Sequence, residues 1–286
     1  MLAVMNDTFR LGGDLVVNRM GFGAMRLPSK GGMFGEARDP ESGRAVLRRA
    51  VELGVNHIDT AGFYLSAGST VSANALIREA LSPYPADLVI ATKVGHIVRE
   101  GGFTQGTPAD MRSLVEADLE SLGVDRLDLV YLRIGAMSPP HGESLGARFE
   151  ALAALREEGL IRHLGVSNVD ADHLAEARTI APVAAVQNQY HAAHREDAEL
   201  LGVCEEAGIA FVPFFPLGGG RELDDERLVK VAARHGATAG QIGLAWLLAS
   251  SPVTLAIPGT GSPAHLEENV AAAGITLSDE DLADLA

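Results

Sequence analysis

From about residue 20 onward, short apolar runs alternate with longer segments whose apolar positions recur at helical spacing. The runs RMGFGAM, NHIDT, DLVIATK, LDLVYLR, RHLGVSN, VAAVQNQY, IAFVPFF and VTLAIPG read as buried strands. Helical patterns lie between them: SGRAVLRRAVELG, ANALIREALS, PADMRSLVEADLESLG, ESLGARFEALAALREEG, ADHLAEARTI, DAELLGVCEEAG, DERLVKVAARHG and ATAGQIGLAWLLASS, with PAHLEENVAAAG after the last strand. Gly54, Gly123, Gly159, Gly208 and Gly236 stand just past the last apolar residue of a helix, where a left-handed cap is expected. Strand–helix alternation with short connections implies parallel strands. Eight such units in roughly 250 residues predict an α/β fold, a (β/α)8 TIM barrel. An open doubly wound sheet is the competing architecture. It requires a glycine fingerprint after its first strand, and GFGAMR has Arg26 where the third glycine belongs. TFRLGGDLVV reads as a β-hairpin plugging the amino-terminal end of the barrel. DERLVKVAARHG is one helix more than the barrel needs. No linker or low-complexity stretch interrupts the pattern, so residues 1–286 are expected to form a single domain with a short carboxy-terminal tail.

Composition narrows the function. A formal net charge of −15 disfavours nucleic acid and anionic membranes as partners. No run approaches the ~20 apolar residues of a membrane span. The start, MLAVMNDTFRLGGDLVV, lacks a leader's basic end and long apolar core, so a cytoplasmic location is expected. His191 and His194 are three apart with no third ligand nearby, and no metal is expected. Cys204, the single cysteine, reads as a buried structural thiol.

In a barrel, chemistry sits on the loops that follow the strands. The long ones here are 24–42, 95–107, 133–144 and 214–225. Lys93 is one of three lysines against 20 arginines, and it ends the buried run DLVIATK. Burying an unpaired ammonium is costly, so a lysine there suggests a compact charge with a job. Asp59 ends NHIDT, and Tyr64 follows five residues later. Taken singly, Asp59 can be a cap or a structural ion-pair partner, and Tyr64 a rim aromatic. Together they suggest an acid–base device: the carboxylate fixes the lysine, and the lysine lowers the phenol's pKa so that it serves as a general acid. A Schiff-base lysine is the alternative, but it needs a neutral amine, which a nearby carboxylate opposes.

These residues sit in stretches that resemble the aldo-keto reductase superfamily along nearly the whole chain: GFGAMRL, LGVNHIDTAGFY, VIATK, LDLVYL, IRHLGVSN, VQNQY, FVPFFPLG and IPGTGSPAHLEEN. Within it, the chain is most similar to bacterial pyridoxal reductases. The resemblance implies a tetrad in which Asp59, Tyr64 and Lys93 take the aspartate, tyrosine and lysine places. Arg133 stands where the family's histidine is usual. An arginine there offers a planar fork of donors and a fixed charge, suited to a carbonyl oxygen gaining charge or to an anionic substrate such as pyridoxal. Its plain alternative is an ion pair with a neighbouring carboxylate.

The resemblance further implies a nicotinamide cofactor. Ser167, Asn168 and Gln187 match carboxamide binders, and Phe214 the ring-stacking aromatic, with core packing as the ordinary reading. Leu217 and Gly218 match the pyrophosphate segment. Gly259, Thr260, Ser262, His265, Glu268 and Asn269 match the adenosine and 2′-phosphate site. Many relatives carry a lysine and an arginine in that last segment, where this chain has Gly259 and His265. NADPH is expected, and NADH use stays open. Arg221 reads as a solvated loop residue. The substrate walls are expected from Met25, Phe63, Arg133 and the segment after it, and Phe214. The short tail implies an open pocket, and the family's size range a monomer. The expected activity is NADPH-dependent reduction of pyridoxal to pyridoxine with Tyr64 as proton donor. A broad aldehyde or ketone reductase and a cofactor-sensing module with little turnover are the alternatives.

Overall fold

The structure, a computed structural model, describes residues 7–99, 102–220 and 223–286. The start of the chain, weighed above for a leader, and Arg221 thus lie partly or wholly outside the described residues. An antiparallel hairpin of β1 (Thr8–Leu11) and β2 (Leu15–Asn18) comes first. Seven parallel strands follow: β3 (Phe22–Gly23), β4 (His57–Asp59), β5 (Val89–Val94), β8 (Leu127–Arg133), β9 (Ile161–Ser167), β10 (Val183–Gln187) and β11 (Ala210–Phe211). A second hairpin, β6 (His96–Arg99) and β7 (Gly102–Gln105), is inserted after β5.

The sheet closes through the eighth predicted run. Around Val253–Pro258, Phe211 N–H donates to Val253 O and Leu255 N–H to Phe211 O on one side. On the other, Ala256 N–H donates to Arg19 O and Gly21 N–H to Ala256 O. Parallel bridges Met20–Ala256 and Phe211–Thr254 mark the same two seams. The eight runs therefore form the expected barrel, with β3, β11 and the closing run much shorter than their apolar stretches.

Period-two alternation sorts the strand residues into two cores. Ile58, Ile90, Val130, Leu132, Leu164, Val166 and Val186 face outward, against the helices. The helices flanking the strands are α1 (Pro40–Glu52), α2 (Ala73–Leu81), α3 (Met111–Leu122), α4 (Gly146–Glu157), α5 (Ala171–Ile180), α6 (Ala198–Ala207), α8 (Ala239–Ala249) and α9 (Pro263–Ala271). Val89, Ala91, Leu129, Tyr131, Ala185, Val212 and Leu255 fill the barrel together with Leu11, Leu15 and Val17 of the first hairpin, which is thus a plug. Tyr131 is accommodated because its neighbour is Gly165: a Cβ there would stand 2.6 Å from the Tyr131 ring and 2.8 Å from Ala185 O.

The tail is more structured than its sequence reading. The added helix α7 (Glu226–His235) binds α10 (Asp279–Asp284). Arg234 Nη1 and His235 Nε2 reach Asp281 at 2.6 and 2.9 Å, and Lys230 Nζ reaches Asp284 at 2.9 Å. Cys204 is fully buried, and burial pushes its thiol up to about 12. No described helix is long and apolar enough to cross a membrane.

Candidate active site

Strand register brings the chemistry together. Asp59 is paired with Ala91, so Lys93 lies two residues further along the same interior face. Lys93 is in turn paired with Tyr131, which puts Arg133 one step higher, opposite Ser167, itself opposite Gln187. The stagger of a closed barrel thus lifts Lys93, Arg133 and Gln187 to the carboxyl end of the strands.

Lys93 and Asp59 are 3% and 2% exposed and meet at 2.5 Å, Nζ to Oδ1. Lys93 also donates to Thr60 O at 3.0 Å, and Gln187 Nε2 donates to Asp59 Oδ2 at 2.8 Å. Burial alone would pull the Lys93 pKa down. The Asp59 charge, together with Tyr64, more than offsets it, so the amine is held above its ordinary value. It is an ammonium, which removes the premise of the Schiff-base alternative.

Tyr64 is buried, and its ring centroid lies 4.8 Å from Lys93 Nζ. Its pKa departs from the expected direction. Burial raises it, and the opposing pull of Lys93, its hydrogen bond and Arg133 does not overcome that. Desolvation of a phenolate outweighs one ammonium already half-neutralised by Asp59. Tyr64 therefore keeps its proton across the neutral range.

Arg133 makes no ion pair among the described residues. Its Nη1 donates to Ser167 Oγ at 3.0 Å and its Nη2 to Ala136 O at 2.7 Å, and its Cζ stands 4.7 Å from the Phe214 ring centroid. Burial lowers its pKa against the raising charges of Tyr64 and Asp59. A guanidinium stays charged even so. It is a fixed cation at the strand ends with no carboxylate of its own.

A cavity of about 710 Å³ opens over these groups. Asp59, Tyr64, Lys93, Arg133, Gln187, Met25, Phe63 and Phe214 line one end. Leu217, Gly259, Thr260, Ser262, His265, Glu268 and Asn269 line the rest, with Gly219 and Gly220 in place of Gly218. Ser167 and Asn168 are not among its lining residues. Ser167 holds Arg133, and Asn168, at φ 61°, donates through Nδ2 to Ile134 O and Ser138 O at 2.8 Å each. Sequence reasoning missed the support behind Phe63: Phe103 and His96 of the second hairpin pack on it at 5.4 and 5.5 Å between ring centroids. Met33, not named from the sequence, and Met137, in the segment after Arg133, also line the cleft.

The chain's sequence matches the Aldo/keto reductase family over residues 19–286. It belongs to that family. The reductase is 47% identical to the pyridoxine 4-dehydrogenase of Escherichia coli strain K12, an alignment covering 98% of this chain and 97% of the relative. It is 44% identical to an uncharacterised oxidoreductase of Schizosaccharomyces pombe, over 96% of this chain and 87% of that protein. An aldo/keto reductase of Klebsiella pneumoniae solved with NADP and acetate superposes at a TM-score of 0.81 with 28% identity, covering 98% of this chain and 94% of that one. No cluster of three or more metal-binding side chains occurs among the described residues. The cleft suits a long anionic ligand: its described cations, Arg26, Arg38, Lys93 and Arg133, outnumber its carboxylates, Asp59 and Glu268, by two, in a chain of net charge −15.

Behind Lys93 lies a polar relay that joins Thr60 and Thr92, within the quoted stretches, to Asn74 and Asp118 outside them. Thr60 Oγ1 donates to Asn74 Oδ1 at 2.8 Å, Asn74 Nδ2 donates to Asp118 Oδ1 at 3.0 Å, and Thr92 Oγ1 donates to Asp118 Oδ2 at 2.6 Å. Burial lifts the Asp118 carboxyl to about 6, against these hydrogen bonds and Lys93. Its folded pKa exceeds its unfolded one, so the folded state binds more protons between pH ~4 and ~6 and this group's contribution is lost as pH rises through that window. Asp118→Asn should remove that slope. The stability of the wild type relative to the variant is expected to fall by about 2 kcal/mol between pH 4 and pH 7 in denaturant titrations. Parallel pH profiles would contradict it.

Proposed function

We propose that the reductase uses NADPH to reduce pyridoxal to pyridoxine, with Tyr64 as proton donor. The observation that carries this reading is the buried Lys93–Asp59 pair beneath a protonated Tyr64, at the end of the cleft that also holds the unpaired Arg133. The pyridoxine 4-dehydrogenase name of the 47%-identical relative supports the substrate, and the NADP in the Klebsiella structure supports the cofactor.

A reduced nicotinamide bound in the cleft supplies hydride to the carbonyl carbon. Tyr64 gives its proton to the oxygen as negative charge grows there. Its raised pKa suits this role, since the proton stays in place until a strongly basic oxygen appears. Lys93 stabilises the phenolate left behind, and Asp59 keeps Lys93 charged and in position. Gln187 donates through Nε2 to Asp59 Oδ2 and so helps hold the carboxylate that positions Lys93. Phe214 presents a ring for stacking and also holds Arg133. Arg133 receives the ring oxygen anion of pyridoxal or the carbonyl oxygen as it gains charge.

Steady-state rates with NADPH test the reading on pyridoxal and on uncharged aromatic aldehydes, in the wild type and in Arg133→His. The wild type should prefer pyridoxal, and the variant should lose about 10-fold or more in kcat/KM on pyridoxal beyond any loss on the uncharged aldehydes. Equal losses would remove the anion-reading role. Absence of turnover with any aldehyde would defeat the function.

A further inference from the structure

The adenosine segment of this reductase lacks the lysine and arginine that many relatives place there, yet the same end of the cleft holds a cation from elsewhere in the chain. Arg38, in the long loop between β3 and α1, packs its guanidinium flat against Gly261. A Cβ at Gly261 would stand 2.8 Å from Arg38 Cζ and 3.1 Å from Nη1. Arg38 Nε is anchored by Arg26 O at 3.0 Å and Ser29 O at 3.1 Å. Nη1 and Nη2 have no hydrogen-bond acceptor and no carboxylate within ion-pair distance among the described residues, and the side chain lines the cavity. The other two arginines of the cleft are committed to other places. Arg133 lies on Phe214 at the chemical end, and Arg26 reaches across to Gly219 O at 3.2 Å. Holding a guanidinium by one nitrogen and leaving its planar fork open is the arrangement that binds a phosphate through two parallel hydrogen bonds.

We propose that Arg38 is the specificity residue for the cofactor's 2′-phosphate, supplying from the first long loop the charge that the last strand and its following helix lack. Gly261 is then part of the arrangement, because a Cβ there would stand 2.8 Å from Arg38 Cζ and displace the guanidinium. The inference rests on the nicotinamide reading of the cleft but not on pyridoxal as substrate.

The test is direct binding by calorimetry to the full-length protein, using NADP+, NAD+, adenosine 2′,5′-bisphosphate and 5′-AMP, with wild type, Arg38→Gln and Arg38→Lys. The wild type should favour NADP+ over NAD+ and the bisphosphate over AMP. Arg38→Gln should weaken the two 2′-phosphorylated ligands by about 10- to 100-fold and leave NAD+ and AMP within about twofold. Arg38→Lys should recover part of the loss, as a point charge without the fork. The salt dependence of bisphosphate binding should be steeper for the wild type than for Arg38→Gln. Equal losses for NADP+ and NAD+ would assign Arg38 to the pyrophosphate and overturn the proposal, as would no loss at all. Should Arg38→Gln fail to fold, a wild type with no preference for the 2′-phosphorylated ligands would overturn it equally. The probes lacking nicotinamide keep this result separate from any failure of the pyridoxal reading.

Discussion

Replacing Tyr64 with phenylalanine is expected to lower kcat for aldehyde reduction by about 10²- to 10⁴-fold, the usual worth of a positioned general acid. The substitution removes one hydroxyl from a buried ring. The ring's edge contact with Phe63, at 5.4 Å between centroids, survives. Cofactor affinity should stay within a few fold, and melting should move by no more than a few degrees. The split matters because a structural role would show the opposite: altered stability with kcat nearly intact. Retained turnover in Tyr64→Phe would mean that another group, or water, delivers the proton.

The second large effect is on Lys93. In Lys93→Met the Asp59 carboxylate remains 2% exposed, with Gln187 Nε2 as its one side-chain donor. Stripping one partner from a buried pair costs about 3–5 kcal/mol, because the other charge is left uncompensated. Turnover should fall as well, since the Tyr64 phenolate loses the ammonium and only Arg133 is left to oppose burial and the Asp59 charge. Urea titrations of the variant against the wild type at neutral pH check the size of the loss. A loss below about 1 kcal/mol would mean that Asp59 is not left as an uncompensated buried charge.

Much of this architecture was legible in the chain. Alternating strand and helix patterns gave the barrel, and the lone buried lysine with Asp59 and Tyr64 marked the chemistry, because charged or polar groups at the ends of apolar runs are costly without a purpose. What was illegible depended on closure and on side-chain partners. RMGFGAM reads as a full strand but supplies only Phe22–Gly23 and one bridge. Its glycines, weighed as a nucleotide fingerprint, instead allow close approach on either side: a Cβ at Gly23 would lie 2.6 Å from Ile257 O of the closing run, and one at Gly21 2.8 Å from His57 O. The hairpin of β6 and β7 was read as a plain loop, although HIVREGGFTQ alternates around a glycine turn. The proton affinity of Tyr64 needed the structure, since the balance between burial and a nearby ammonium cannot be read from spacing. Arg38 carried no signal: an arginine in a long loop looks solvated until the fold lays it on Gly261. Asp118 was hidden on an ordinary amphipathic helix.

Following one deuterium atom tests the central claim most directly. NADPH labelled at the transferable position would be mixed with wild type and pyridoxal, and the product examined by NMR. The account predicts pyridoxine bearing one deuterium on the former aldehyde carbon for each cofactor oxidised, and the same product formed far more slowly by Tyr64→Phe. Cofactor that binds but leaves the aldehyde unlabelled and unreduced would contradict it.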